Sequence, residues 1–182
     1  MTKEQVILVN KKDEPIGLMD KMEAHEKGAL HRAVSVFIFN SNNQLLIQRR
    51  SLEKYHTPGI WSNTACSHPR NNESTISCSN RRLLEEMGVI TKIRPVFSFI
   101  YRAELSSNLV EHELDYVFIG FDNKMPNPNP EEVCEWRHVD ETSLRKSIHD
   151  DPEAFSPWFK ICYQRAFQKA YELNSKELIN LS

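Results

Sequence analysis

Apolar residues along this chain fall in short dense runs, with one stretch of helical period between them. Val6 to Val9 is a four-residue apolar run, and Asn10-Lys11-Lys12-Asp13-Glu14-Pro15 after it predicts a turn. Ala33-Val34-Ser35-Val36-Phe37-Ile38-Phe39 is β-branched and aromatic and predicts a strand. Asn40-Ser41-Asn42-Asn43 predicts a turn, and Gln44 to Gln48 the returning strand. Pro58-Gly59 breaks the chain before Trp61. Between Glu73 and Met87 the positions Ile76, Asn80, Leu83 and Met87 recur at helical spacing, and Gly88 supplies a stop. Val96 to Arg102 and Leu114 to Phe121 predict further strands, and Asn127-Pro128-Asn129-Pro130 a loop. Ser156-Pro157 opens a helix, with Ser as cap and Pro in the first turn, that carries Trp158, Ile161, Cys162, Ala166 and Ala170 along one side. Strands with intervening helices, and two strand pairs joined by short turns, predict a mixed α/β sandwich. With no repeat, low-complexity tract or linker, residues 1–182 read as one domain.

Composition narrows the classes further. At 182 residues, 40% hydrophobic and 26% charged, the chain can bury a sizeable core and is neither disordered nor collagen-like. A net charge of −2 lacks the positive field that a general nucleic-acid binder needs, so no nucleic-acid partner is expected. The longest apolar runs are too short to cross a bilayer, so no membrane association is expected. Met1-Thr2-Lys3-Glu4-Gln5 lacks the apolar core of a signal peptide, which makes the cytoplasm the expected location. Cys66, Cys78, Cys134 and Cys162 are scattered without CxxC spacing, so at least three of them read as small hydrophobes and any reactive one must be found by its neighbours.

Five residues form a candidate divalent-metal set: His25, His31, His68, Glu111 and Glu113. Side chains at i and i+2 of an extended segment share a face, so Glu111 and Glu113 project together with His112 turned away. Cys66 and His68 pair in the same manner. Three imidazoles and two carboxylates suit Mn²⁺, Zn²⁺ or Mg²⁺. Taken singly, each of these residues reads better as a solvated surface group than as a ligand, and the spacing alone is a weak signal. Arg81 with Glu85 and Arg82 with Glu86 are i,i+4 pairs, which on physics alone form a salt-bridged solvated face.

The frame around those pairs is more specific. Ser67, five residues, Glu73, seven residues, then Arg81-Arg82-Leu83-Leu84-Glu85-Glu86-Met87-Gly88-Val89 resembles the Nudix box. That box builds a loop-helix-loop for diphosphate-bound Mg²⁺. Here Ser67 stands in place of the box's Gly and Arg82 in place of a metal-binding Glu, which argues against ordinary Nudix hydrolysis. Trp61-Ser62-Asn63-Thr64-Ala65-Cys66-Ser67-His68-Pro69, Tyr101-Arg102-Ala103, Glu111-His112-Glu113 and Phe155-Ser156-Pro157-Trp158 together resemble the type 1 isopentenyl-diphosphate isomerases over nearly the whole chain.

The resemblance implies a mixed α/β/α sandwich of the Nudix type and an isomerase that moves a proton between carbons of an allylic diphosphate. It implies acid/base roles for Cys66 and Glu113, with Tyr101 hydrogen-bonded to the carboxylate. It implies one tightly held divalent ion on His25, His31, His68, Glu111 and Glu113, and a Mg²⁺ on Glu86 that arrives with the substrate. Lys21, Arg50, Lys54 and Arg82 match basic positions for the diphosphate, and arginine's planar fork suits phosphate. Trp158 would set its π-face by a developing cation; without the resemblance it reads as core. The expected partner is a small-molecule diphosphate, and the expected state a monomer or weak dimer. Two other classes compete: a Nudix hydrolase with a metal-activated water, disfavoured by Arg82 and Cys66, and a non-catalytic metal-binding module.

Overall fold

The strand predicted over 33–39 is the centre of the fold, and it is apolar on both faces because both faces are covered. The computed structural model describes residues 4–54, 57–105 and 108–179; Met1 to Lys3 of the N-terminal segment discussed above lie outside them. Within it the chain runs β1 (Gln5–Val9), β2 (Pro15–Asp20), α1 (Lys21–Lys27), β3 (His31–Phe39), β4 (Leu45–Arg50), β5 (Trp61–Ser62), β6 (Ala65–Ser67), α2 (Thr75–Met87), β7 (Ile93–Glu104), β8 (Val110–Phe121), β9 (Val133–Val139), α3 (Glu141–Asp150) and α4 (Pro157–Ile179). β3 pairs parallel with β8 from His31↔Glu113 to Phe39↔Phe121 and antiparallel with β4 and β6. β7 returns antiparallel on β8, β9 on β4, and β2 on β1.

Alternate residues of β3 serve two cores. Phe37 and Phe39 join Leu45, Ile47, Val117 and Ile119 beneath α3 and α4, which contribute Leu144, Phe159, Cys162, Ala166 and Phe167. Val34, Val36 and Ile38 join Leu46 and Phe118 beneath α2, which contributes Cys78, Leu83 and Met87. The result is the expected helix–sheet–helix sandwich. Burying any one of these large aliphatic or aromatic side chains is worth about 1.5–3 kcal/mol, and leaving β3 half-covered would forfeit one whole set.

Two predicted helix faces are corrected. On α2 the buried side is Cys78, Ser79, Leu83, Glu86 and Met87, while Ile76 and Asn80 face outward. On α4 the stripe through Trp158, Cys162, Ala166 and Ala170 is buried, but Ile161 is 54% exposed because Phe159, Tyr163 and Phe167 flank that stripe on its other side. The predicted strands 96–102 and 114–121 are longer, since they meet in a hairpin whose inner ends are polar. Ser74 caps α2 by accepting from the Ser77 N–H, and Gly88 closes it at φ 64°. β2, α1, β9 and α3 carry too little apolar pattern to be read from the chain: β2 is mostly exposed, and α3 buries only Leu144.

Candidate active site

Sheet register assembles the site. The β3–β8 pairing sets His31 opposite Glu113, the β7–β8 pairing sets Tyr101 opposite Glu113, and the β3–β6 pairing sets Ser35 opposite Cys66. α1 is a two-turn helix capped by the Asp20 carboxylate, and its last turn places His25 against the same sheet end. His25, His31, His68, Glu111 and Glu113 are all buried there, and one ligand atom from each lies within 4.8 Å of every other.

The polarity of this cluster is set from behind. His25 Nδ1 lies 2.6 Å from the Lys21 carbonyl and His31 Nδ1 2.8 Å from the Ala29 carbonyl. A carbonyl only accepts, so each Nδ1 donates its hydrogen to it and each Nε2 is turned toward the cluster. His25 Nε2 meets Glu111 Oε2 at 3.0 Å, and His68 Nε2 meets Glu113 Oε1 at 2.8 Å. His31 Nε2 is buried without a hydrogen-bond partner, 3.6 Å from Glu113 Oε1. Three imidazole nitrogens and two carboxylates converging within 4.8 Å of one another make up a donor set that could hold a cation. Burial lowers the proton affinity of His25, but the Glu111 hydrogen bond and charge reverse this and raise it. Burial holds His68 well below the usual imidazole range. Burial and Glu111 would raise the Glu113 carboxyl; contacts with His31 and His68 lower it on balance, leaving it charged beside a neutral His68.

A cleft with a volume of about 120 Å³ opens above the cluster, lined by Lys21, Arg50, Lys54, Cys66, His68, Arg82, Glu111, Glu113 and Trp158, among others. Cys66 is half-buried in its wall. Burial pushes its thiol up to about 12 against the pull of the Arg50 guanidinium, whose Nη1 lies 3.8 Å from Sγ. The thiol is therefore protonated at neutral pH. Tyr101 stands behind the wall and donates its O–H to Glu113 Oε2 at 2.7 Å. Trp158 is buried at the foot of α4, and Arg50 sits 5.8 Å from its ring centroid.

Glu86 is not part of the five-ligand cluster. Its Oε2 accepts from Gln48 Nε2 at 2.6 Å and its Oε1 from Arg82 Nε at 3.1 Å. Reading the chain also left several contributors unmarked. The Trp158 indole N–H donates to Ser62 Oγ and Asn63 Oδ1, both at 3.1 Å, while Asn63 Nδ2 is tied to the Val36 and Ala65 carbonyls. Ser156 stands at the helix start, with its hydroxyl 3.0 Å from that of Ser62. These residues lie inside the motif segments, which is the signal that could have marked them. Asp115, buried and bonded to the Ser35 hydroxyl at 2.8 Å, and the cleft-lining Glu4 and Glu132 carry no such signal.

Comparison with known proteins gives one consistent picture. The NUDIX domain model matches residues 29–159. The chain is 48% identical over 162 residues to Isopentenyl-diphosphate Delta-isomerase 2 of Aromatoleum aromaticum, covering 89% of this chain and 86% of that one. It is 47% identical over 163 residues to Isopentenyl-diphosphate Delta-isomerase of Pectobacterium atrosepticum, covering 88% and 90%. Among solved structures, DR0079 from Deinococcus radiodurans shares the fold at a TM-score of 0.73 and 21% identity, covering 88% of this chain and 98% of its own. No helix among the described residues is long and apolar enough to cross a membrane.

Proposed function

This chain belongs to the Nudix domain family and, within it, to the isopentenyl-diphosphate Delta-isomerases, and from that premise we propose how its own residues carry the reaction. The activity interconverts isopentenyl and dimethylallyl diphosphates: one alkene carbon gains a proton and another carbon loses one, with the diphosphate ester left whole. An alkene is a weak base, so the proton donor must be well placed and the cationic species sheltered from water. The observation that carries the reading is the convergence of a protonated thiol, a buried carboxylate and four cations on one cleft.

Cys66 and Glu113 enter that cleft from different strands, β6 and β8, and serve as the two proton-transfer groups. Tyr101 orients the carboxylate through its 2.7 Å hydrogen bond. Lys21, Arg50, Lys54 and Arg82 hold the diphosphate. Trp158, its indole N–H anchored on Ser62 and Asn63, offers a fixed π-face to positive charge. His25, His31, His68, Glu111 and Glu113 fit one divalent ion, which would give the buried, unpartnered His31 Nε2 a partner. When bound, the ion supplies positive charge beside Glu113 and so alters that carboxylate's proton affinity. Elemental analysis distinguishes Mn²⁺, Zn²⁺ and Mg²⁺ at that site; Glu86 would hold a second ion, Mg²⁺, accompanying the diphosphate. A cytoplasmic place in isoprenoid supply belongs to the same reading.

Arg82 weighs against hydrolysis, because a guanidinium engaged with Glu86 and Glu132 stands in place of the carboxylate that the hydrolase box uses. The test is turnover of isopentenyl diphosphate with Mg²⁺ in D₂O. Deuterium should enter the terminal carbon that becomes a methyl group, with little phosphate released, and Glu113→Gln should suppress incorporation. Efficient hydrolysis of nucleoside diphosphates with no deuterium in the five-carbon skeleton would overturn the proposal.

A further inference from the structure

Among the cations assigned to the diphosphate, Lys21, Lys54 and Arg82 are paired with two carboxylates of the chain itself. Lys21 Nζ meets Glu4 Oε2 at 3.1 Å. Lys54 Nζ and Arg82 Nη2 both meet Glu132 Oε2, the latter at 3.0 Å. Both carboxylates line the cleft. They are built in rather than incidental. The Glu132 carbonyl accepts from the Ser51 N–H at 2.9 Å, beside the bulge at Arg49 and Arg50 where β9 joins β4, and its N–H bonds the Asn129 carbonyl at 3.0 Å. The Glu4 carbonyl accepts from the Lys21 N–H at 2.8 Å. Glu4 thus hangs from the backbone of its own cation Lys21, and Glu132 from that of Ser51, which follows Arg50 in the chain.

We propose that Glu132 and Glu4 are displaceable internal counter-ions, two carboxylates that occupy the anion site of the cleft and must be exchanged for the two phosphate groups of the substrate. The inference rests on the isomerase reading for the identity of the site. It deepens that reading by giving the cleft a means of discrimination. Four like charges crowded in a partly buried cleft repel one another and invite any small anion. Carboxylates at two separate places among them offset half of that charge. A ligand with two linked anionic groups replaces both at once, whereas a single phosphate replaces one and leaves the other in place. Glu132, with its side chain 21% exposed and held by two cations, is the stronger of the pair. Glu4, 56% exposed and held by one, is the weaker.

The test is calorimetric binding of inorganic pyrophosphate and of orthophosphate to the metal-replete protein in Mg²⁺ buffer, for wild type, Glu132→Gln and Glu4→Gln. Glutamine keeps the side-chain shape and removes the charge. Glu132→Gln should bind pyrophosphate about tenfold more tightly and orthophosphate tighter still relative to wild type, so that the preference for pyrophosphate narrows. Glu4→Gln should shift both in the same direction by about threefold. Weaker or unchanged pyrophosphate binding in both folded variants would overturn the inference, since it would mean that the acids only brace the cations. Glu4→Gln decides alone if Glu132→Gln fails to fold. Wild-type turnover in D₂O is read in parallel: isomerisation without tighter binding in the variants sinks only the counter-ion role. Wild type that neither isomerises nor binds pyrophosphate sinks both.

Discussion

Tyr101→Phe isolates one interaction in the cleft wall. The ring of Tyr101 stacks on Phe99 with centroids 5.6 Å apart and planes 30° apart, and phenylalanine keeps that contact and leaves no sizeable cavity. What is lost is the O–H that donates to Glu113 Oε2 at 2.7 Å, between two side chains that are 6% and 7% exposed. A hydrogen bond to a charged group is worth about 1.5–3 kcal/mol. Glu113 Oε1 keeps its contacts with His68 and His31, so the carboxylate stays anchored on one side and loses its orientation on the other. If Tyr101 positions Glu113 for proton transfer, the loss falls on kcat by about 10- to 150-fold, at 1.36 kcal/mol per factor of ten, with KM little changed. If the bond only braces the fold, the same free energy appears instead as a lower melting temperature, about 2–4 °C per kcal/mol for a chain of this size. The assay is therefore kcat and KM, a thermal melt and bound-metal content on one preparation. A kcat within threefold of wild type would refute the positioning role, as would a loss of kcat that tracks loss of metal.

Cys66→Ala should lower turnover by at least about a hundredfold while circular dichroism and the melt stay near wild type; a folded variant that turns over normally removes the thiol from the reaction. Dialysis against a chelator should abolish activity and lower the melting temperature by several degrees, because an ion bound only by the folded state stabilises it; an unchanged melt would count against the five-ligand site. Gly88→Ala should cost about 2–4 kcal/mol, since a Cβ at φ 64° is strained and would stand 2.4 Å from the Asn127 carbonyl oxygen; a urea midpoint equal to wild type would refute this. The hydrogen bond from Arg81 holds the Glu73 carboxyl below its ordinary range, so the folded state favours its charged form. That contribution is present above the unfolded-state value near 4.5 and is lost as pH falls through the folded value. The stability gap between wild type and Glu73→Gln should thus shrink on acidification, and a gap that grows would reverse the sign of the argument.

How much of this was legible beforehand follows from where each signal lives. β3, β4 and α2 could be read because a strand covered on both faces and a capped amphipathic helix leave dense local patterns, and Gly88 marked the end of α2 through its left-handed backbone. β2 and β9 could not, because their side chains are largely solvated and their place is set by the strand they pair with. Ile161 was misplaced because spacing from Trp158 alone cannot say on which flank of the stripe the core lies; the packing of Phe159 and Phe167 decides that. Within the site, residue types and motif frames nominated the five residues that the fold buries together, and the i,i+2 rule placed Glu111 and Glu113 side by side. The step that a linear reading cannot take is the long-range one. His31 faces Glu113 across 82 positions of chain only because β3 and β8 run parallel in that register. Glu132 reaches Lys54 and Arg82 only because β9 docks on β4. The charge balance of the cleft therefore differs between sequence and fold: Lys21, Lys54 and Arg82, read along the chain only as cations, hold Glu4 and Glu132 once the sheet forms, and on the counter-ion proposal a substrate must displace those acids.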